Sequence, residues 1–247
     1  MSTFTFNTTP SVRMGVGLAQ KLGDIAGPVC GENILFVTDP GMVATGLVEK
    51  AVSVLVDAGL KVTVFDKVQA DPPEAIIQSA AEMARAASGV VGFGGGSSLD
   101  VAKLAALLAA SGQPLEDAFG IGNATGPRLP LVLVPTTSGT GSEVTPISIV
   151  TTGTSEKMGV VSPLILPDVA VLDPELTLGL PAHVTAATGI DAMVHAIEAY
   201  GSANPNNNPI SRALAVKALR LMGRVLKQAV DTPADIEARS DMMLGSM

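Results

Sequence analysis

Along the first 180 positions, short apolar runs alternate with longer Ala-rich amphipathic stretches. The runs Asn33–Thr38, Lys61–Phe65, Val90–Phe93 and Leu131–Val134 have the length and β-branched content of strands buried on both faces. Between them, Met42–Asp57, Pro73–Ala87 and Ser98–Ala110 repeat apolar residues at helical spacing. That alternation predicts an α/β architecture, a parallel sheet with crossover helices on its faces. Ile147–Thr151, Gly159–Val161 and Val169–Leu172 read as further strands, and the Thr3–Thr5–Arg13 region as an edge hairpin.

The period changes near Leu180. Pro181–Tyr200, Pro209–Val230 and Pro233–Met247 read as helices, broken at the Asn- and Pro-rich Gly201–Asn208 and at Asp231–Thr232. The expected organisation is an α/β domain over 1–180 followed by the start of an all-helical domain over 181–247. The final helix carries Ile236, Met242, Met243, Leu244 and Met247 and then stops without a polar finish. An apolar helical stripe needs a covering partner, so the helical domain is expected to be incomplete, and self-association into a homo-oligomer is expected from the stripes left open.

Composition narrows the function classes. With 47% hydrophobic residues in 247, the chain is not intrinsically disordered. Fifteen basic residues against 23 acidic give a net charge of −8, which leaves no basic surface for a nucleic-acid backbone. One cysteine, Cys30, excludes an intramolecular disulfide and fits a reducing cytoplasm. No apolar stretch reaches membrane-spanning length, and Met1–Pro10 lacks the grammar of a signal peptide. Only two histidines, His183 and His195, are available for metal or proton chemistry.

Strand Val90–Phe93 runs into Gly94-Gly95-Gly96-Ser97-Ser98, and Leu99–Lys103 opens a helix. Consecutive glycines bring main-chain N–H groups close to a ligand, and a helix N-terminus carries partial positive charge, the geometry of a phosphate cradle. The alternative is a turn whose glycines only permit tight helix–sheet packing. The dinucleotide fingerprint is only approximated, and a P-loop is excluded because Lys103 lies inside the helix. The acidic candidate precedes the glycines: Asp39, at the end of the second strand, suits a ribose diol and would repel a 2′-phosphate, or else caps the next helix.

Two further segments carry chemistry. Leu131–Val134 runs into Pro135-Thr136-Thr137-Ser138-Gly139-Thr140-Gly141-Ser142-Glu143, a hydroxyl-rich loop at a strand end where open α/β sheets bind ligands. Asp191 and His195 stand four residues apart in an apolar helix, sharing a face suited to one divalent ion. An imidazole with a carboxylate suits iron or zinc better than calcium or magnesium. The alternative is a hydrogen-bonded Asp–His pair without metal.

These segments, in this order, resemble the iron-containing (group III) alcohol dehydrogenase family. The resemblance rests on Gly94-Gly95-Gly96-Ser97-x-x-Asp100-x-x-Lys103, Pro135-Thr136-Thr137-x-Gly139-Thr140-Gly141-Ser142-Glu143, Pro167-Asp168, Asp173-Pro174 and Thr188-Gly189-x-Asp191-Ala192-x-x-His195-Ala196-x-Glu198. It implies a dinucleotide-binding α/β domain, a helical metal-binding domain, and NAD with a divalent metal, iron ahead of zinc, in the cleft between them. By that resemblance Asp39 looks like the ribose partner. Gly95, Gly96, Ser97, Ser98 and Asp100 look like the diphosphate and nicotinamide-side loop. Thr136, Thr137, Thr140 and Ser142 look like a second cofactor loop, Lys157 like a further cofactor contact, and Asp191 and His195 like two metal ligands. Asp71 stands where the family often has Asn, which leaves an adenosine-side role for it open.

The resemblance also implies further ligands from a later histidine-rich segment, which this sequence does not contain. The expectation is therefore a fragment of an NAD-linked, metal-dependent enzyme acting on a small alcohol or aldehyde, binding metal weakly and turning over slowly or not at all by itself. No general base is identifiable. The alternative is a non-catalytic nucleotide-binding or assembly module without a complete metal site. A lyase or synthase using NAD transiently is disfavoured by the lack of a basic pocket.

Overall fold

The computed structural model describes residues 3–153 and 155–247. In chain order its elements are β1 (Ser11–Met14), α1 (Leu22–Cys30), β2 (Asn33–Val37), α2 (Pro40–Ala44), α3 (Leu47–Asp57), β3 (Lys61–Phe65), α4 (Glu74–Ala84), β4 (Gly89–Gly94), α5 (Gly96–Ser111), α6 (Leu115–Ala118), β5 (Gly120–Ile121), β6 (Leu131–Pro135), β7 (Ile147–Thr152), β8 (Glu156–Val161), β9 (Val169–Leu172), α7 (Ala182–Gly201), α8 (Pro209–Asp231) and α9 (Ile236–Ser246). The described residues gather into two compact units, one drawn from 8–135 and 142–173, the other from 3–7, 136–141 and 174–247.

In the first unit, among the described residues, six strands pair in the order β1-β9-β6-β4-β2-β3, every pairing parallel. Strands β4, β6 and β9 are buried at every position, the pattern of strands covered on both faces. Helix α5 is buried along most of its length, from Ser98 to Leu108, because it packs on β4 and β6 with α4 beside it. The chain runs outward from β2 to β3 and then returns to place β4 on the other side of β2. That reversal opens the crevice beyond the carboxyl ends of β2 and β4 where open α/β sheets bind ligands.

The architecture matches the expected parallel sheet followed by helices, with four local corrections. No edge hairpin forms from Thr3 to Arg13. Instead β1 pairs in parallel with β9, Ser11 opposite Val169, a non-local partner that no local pattern announces. The expected helix Met42–Asp57 is two helices, α2 and α3, because Gly46 turns between them at φ 75°. β7 and β8 leave the main sheet and pair antiparallel with each other, with β5 on the far side of β8. Helix α1 went unread, since Gly23, Gly27 and Pro28 break its helical grammar, yet it buries Leu22, Ile25, Ala26 and Cys30.

The second unit is helical. α8 starts with Pro209 behind an Asn208 cap, whose Oδ1 accepts from the N–H groups of Ile210 and Ser211 at 3.0 and 3.1 Å. Asp235 caps α9 in the same way. Ala192, Met222, Ala229, Ala238 and Met242 form the shared core of the three helices. Among the described residues, no helix is long and apolar enough to cross a membrane.

Candidate functional site

At the carboxyl end of β2, Asp39 caps α2: its Oδ1 accepts from the Met42 N–H at 3.0 Å, and Pro40 supplies the fixed φ suited to a first helical turn. Its other oxygen, Oδ2, accepts from Ser98 Oγ at 3.0 Å. Asp39 is thus a capping residue and, through Ser98, a bridge between the two strand ends that flank the crevice. The capping role expected from sequence is observed, and a carboxylate tied once at each oxygen keeps further lone pairs.

The glycine turn divides into two kinds of position. A Cβ on Gly92 would sit 2.7 Å from both Ala102 Cβ and Leu133 Cδ2, so Gly92 serves helix–sheet contact. Gly94 adopts φ 146°, outside the range of ordinary L-residues, and a Cβ there would lie 2.8 Å from Ser98 Oγ and 3.1 Å from Asp39 Oδ2. Gly95 is the cap of the sixteen-residue helix α5, and Gly96 and Ser97 form its first residues, where main-chain N–H groups lack helical acceptors. At the same end of β2, Thr38 Oγ1 is fully buried without a hydrogen-bond partner. A glycine-lined turn at a helix N-terminus fits a polar, anionic ligand such as a dinucleotide.

One turn further along α5 the chemistry turns inward. Lys103 is completely buried, and its ammonium donates to Ser142 Oγ at 2.8 Å, the Ile147 carbonyl at 2.7 Å and the Thr145 carbonyl at 3.1 Å. Asp100 Oδ1 stands 3.5 Å from the same ammonium and also accepts from Ser142 Oγ, while its Oδ2 accepts from the Ile149 N–H at 2.9 Å. Burial pulls the Lys103 pKa down, and Asp100 and Glu143 oppose it. Burial likewise pushes the Glu143 carboxyl up to about 7, against its own main-chain N–H and Lys103. Asp100 and Ser142, assigned to the cofactor loops by resemblance, here belong to a buried network that ties α5 to the segment entering β7. Lys103 and Glu143 were not singled out as functional from sequence. The signal was present, a lone lysine three residues after an aspartate in an otherwise uncharged helix.

Lys157 lies on β8, exposed, with its ammonium 2.6 Å from Asp71 Oδ1 and 3.0 Å from Thr151 Oγ1. Asp71 holds φ 54°, and its carbonyl accepts from Thr151 Oγ1 at 3.0 Å. Thr136, Thr137 and Thr140 belong to the helical unit, where a Cβ on neighbouring Gly139 would come within 3.0 Å of Thr188 Cβ.

On α7, Asp191 and His195 share one face as their spacing predicts. His195 Nε2 stands 3.7 Å from Asp191 Oδ1, and both side chains are about half exposed, 50% and 52% respectively. A carboxylate oxygen and an imidazole nitrogen this close fit two adjacent positions on one divalent ion. Among the described residues, no group of three or more His, Cys, Asp or Glu side chains assembles around them.

Comparison with known proteins bears on the whole chain. A family model described as iron-containing alcohol dehydrogenase matches residues 9–174, and one described as the C-terminal part of the Fe-containing alcohol dehydrogenase family matches residues 185–247. Long-chain-alcohol dehydrogenase 1 of Geobacillus thermodenitrificans is 43% identical over 245 residues, 96% of this chain and 60% of its own length. A solved structure of a 1,3-propanediol oxidoreductase aligns with a TM-score of 0.94 at 36% identity, covering 99% of this chain and 64% of that one. The sulfoacetaldehyde reductase of Bifidobacterium kashiwanohense, solved in complex with NAD+, aligns at 0.91 with 33% identity, covering 100% of this chain and 65% of that one. This chain therefore spans less than two thirds of the length of these relatives.

Proposed function

The chain belongs to the iron-containing alcohol dehydrogenase family, and from that premise we propose that it serves an NAD-linked oxidoreductase interconverting a small alcohol and its aldehyde or ketone. The observation that carries this reading is the tied pair Asp39–Ser98 over the Gly94 turn, at the point where the sheet order reverses. Residues 1–180 are the dinucleotide-binding part in this reading, and 181–247 carry metal ligands. Names of relatives support the chemistry: one is a long-chain-alcohol dehydrogenase, another a reductase with NAD+ bound.

When bound, NAD supplies a hydride acceptor and a divalent ion, iron, supplies Lewis-acid polarisation of the alcohol oxygen. The N-terminal turn of α5, with Gly95, Gly96 and Ser97, offsets the negative charge of the diphosphate. Asp39 accepts hydrogen bonds from the adenosine ribose diol and excludes a 2′-phosphate. Lys157 adds positive charge, with Thr136, Thr137 and Thr140 as hydroxyl donors to the cofactor. Asp100 and Ser142 act behind the turn, holding it against β7. Asp191 and His195 hold the ion through one oxygen and one nitrogen.

Calorimetric titration of NAD+ into the Fe(II)-supplemented protein under anaerobic conditions, beside alcohol-dependent absorbance at 340 nm, tests this reading. Saturable NAD+ binding with Fe(II) uptake is expected, and alcohol-dependent NADH formation that is slow or absent. NAD+ binding without metal uptake would instead favour a nucleotide-binding module, and no NAD+ binding would overturn the assignment.

A further inference from the structure

We propose that Ser98 is a positioning residue that sets the nucleotide preference of this site by locking the Asp39 carboxylate against the Gly94 turn. The inference rests on the reading that Asp39 meets the ribose diol, and goes beyond it by assigning what makes that carboxylate selective.

Ser98 is the third residue of α5 and only 1% exposed, so its hydroxyl is buried and must find a partner. The partner is a carboxylate from a different strand end, 59 positions earlier in the chain: Ser98 Oγ donates to Asp39 Oδ2 at 3.0 Å. The other oxygen of Asp39 is held by the Met42 N–H at 3.0 Å. One hydrogen bond fixes where the carboxylate lies but leaves its plane free, because the terminal torsion of aspartate is broad. The second bond, on the other oxygen, fixes the plane. The turn beneath admits this only as glycine, since a Cβ on Gly94 would crowd both partners, at 3.1 Å from Asp39 Oδ2 and 2.8 Å from Ser98 Oγ.

The consequence is discrimination. A carboxylate offers about four lone-pair sites, so two bonds from protein leave about two for the paired hydroxyls of a ribose. A 2′-phosphate would bring two like charges to a carboxylate that cannot turn aside, a repulsion that grows as the site excludes water. Without the Ser98 hydroxyl the carboxylate stays capped on Met42 but swings about its terminal torsion. The ribose diol then loses a preorganised partner, and the 2′-phosphate loses much of its opposition.

The test compares NAD+ and NADP+ affinity by calorimetry in the wild type, Ser98→Ala, Ser98→Thr and Asp39→Asn. Losing one charge-assisted hydrogen bond should narrow the preference for NAD+ by about 5- to 10-fold in S98A. Alanine is the better helix former, so the melting temperature should stay within about 3 °C of the wild type. S98T keeps the hydroxyl and should keep the preference. D39N should abolish most of it. If S98A does not fold, the near-isosteric S98C, a weak donor, should show the same narrowing. An unchanged preference in S98A with a lowered one in D39N overturns the role of Ser98 and leaves the Asp39 reading intact. Equal loss of both nucleotides in S98A also overturns it, as a merely structural effect. No preference in the wild type, or no change in D39N, overturns the Asp39 reading itself.

Discussion

Lys103 donates from a fully buried ammonium to the main-chain carbonyl of Ile147 at 2.7 Å, joining the centre of α5 to the first residue of β7. Together with Ser142 Oγ and the Thr145 carbonyl, that bond makes a lysine the internal bracket of the segment 142–147. Replacing it by methionine keeps the aliphatic stem but leaves two carbonyls without their donor and removes the cation beside the Asp100 carboxylate, which keeps its bonds from Ser142 and Ile149. Removing one partner of a buried ion pair typically costs about 3–5 kcal/mol. Lys103→Met should therefore lower the unfolding free energy by an amount in that range, seen as a lower urea midpoint with an unchanged m-value. A loss below about 1 kcal/mol would show that the network contributes little to folding.

Glu143 makes stability depend on pH in a direction opposite to that of most carboxylates. Burial raises its pKa from 4.5 to about 7, with Lys103 facing it and lowering the value in part. Between those two values the folded chain holds a proton that the unfolded chain has released. Stability from this group is thus full below pH 4.5 and is lost as pH rises towards and through 7. The shift corresponds to roughly 3 kcal/mol across the window. Asp168 does not interfere: burial raises its pKa, but hydrogen bonds from Arg128 and the Leu131 N–H outweigh that and hold it below the usual 3.8. Glu143→Gln should flatten the difference in unfolding free energy between pH 5 and pH 8, measured by urea titration. Parallel pH profiles for the two proteins would exclude Glu143 as the titrating group.

Gly94→Ala separates conformation from packing at the candidate nucleotide turn. The added methyl meets Asp39 and Ser98 at a φ of 146°, so strain of about 1–3 kcal/mol is expected, together with loss of NAD+ affinity. Gly92→Ala, two residues earlier, collides instead with Ala102 and Leu133 in the core. It should destabilise the fold by a similar amount, yet shift NAD+ affinity far less once measured at a temperature where the protein stays folded. Equal effects of both substitutions on affinity would mean that the turn acts only through general packing.

Much of this was readable from the chain because the decisive signals are local. Strands such as Leu131–Pro135 and Val169–Leu172 are apolar on both faces, and that alone implies a covered parallel sheet. The glycine turn and the Asp191–His195 spacing are local as well. What escaped reading depends on partners distant in sequence. The parallel neighbour of β1 lies more than 150 positions away, and β7 and β8 read as strands but join a separate sheet. Asp100 could be placed at the glycine loop from its motif, but the inward turn of its carboxylate depends on Ser142 and Ile149, which only the folded chain brings close. The Ser98–Asp39 bond is of the same kind.

The Asp191–His195 pair carries the last prediction, because it distinguishes a metal-binding face from a simple surface contact. Their atoms are 3.7 Å apart, beyond a good hydrogen bond, and both side chains are about half exposed, so neither contributes much to the fold. His195→Ala and Asp191→Ala should therefore leave the melting temperature within about 2 °C of the wild type. If the two side chains share an ion, each substitution alone should remove most of the Fe(II) binding seen by anaerobic calorimetry, because a single remaining ligand grips a hydrated ion weakly. His183→Ala serves as the comparison, being an exposed histidine on the same helix, and should leave Fe(II) binding unchanged. Equal loss in H183A and H195A would mean that iron is taken up by any exposed imidazole, and the assignment of Asp191 and His195 as ligands would fail.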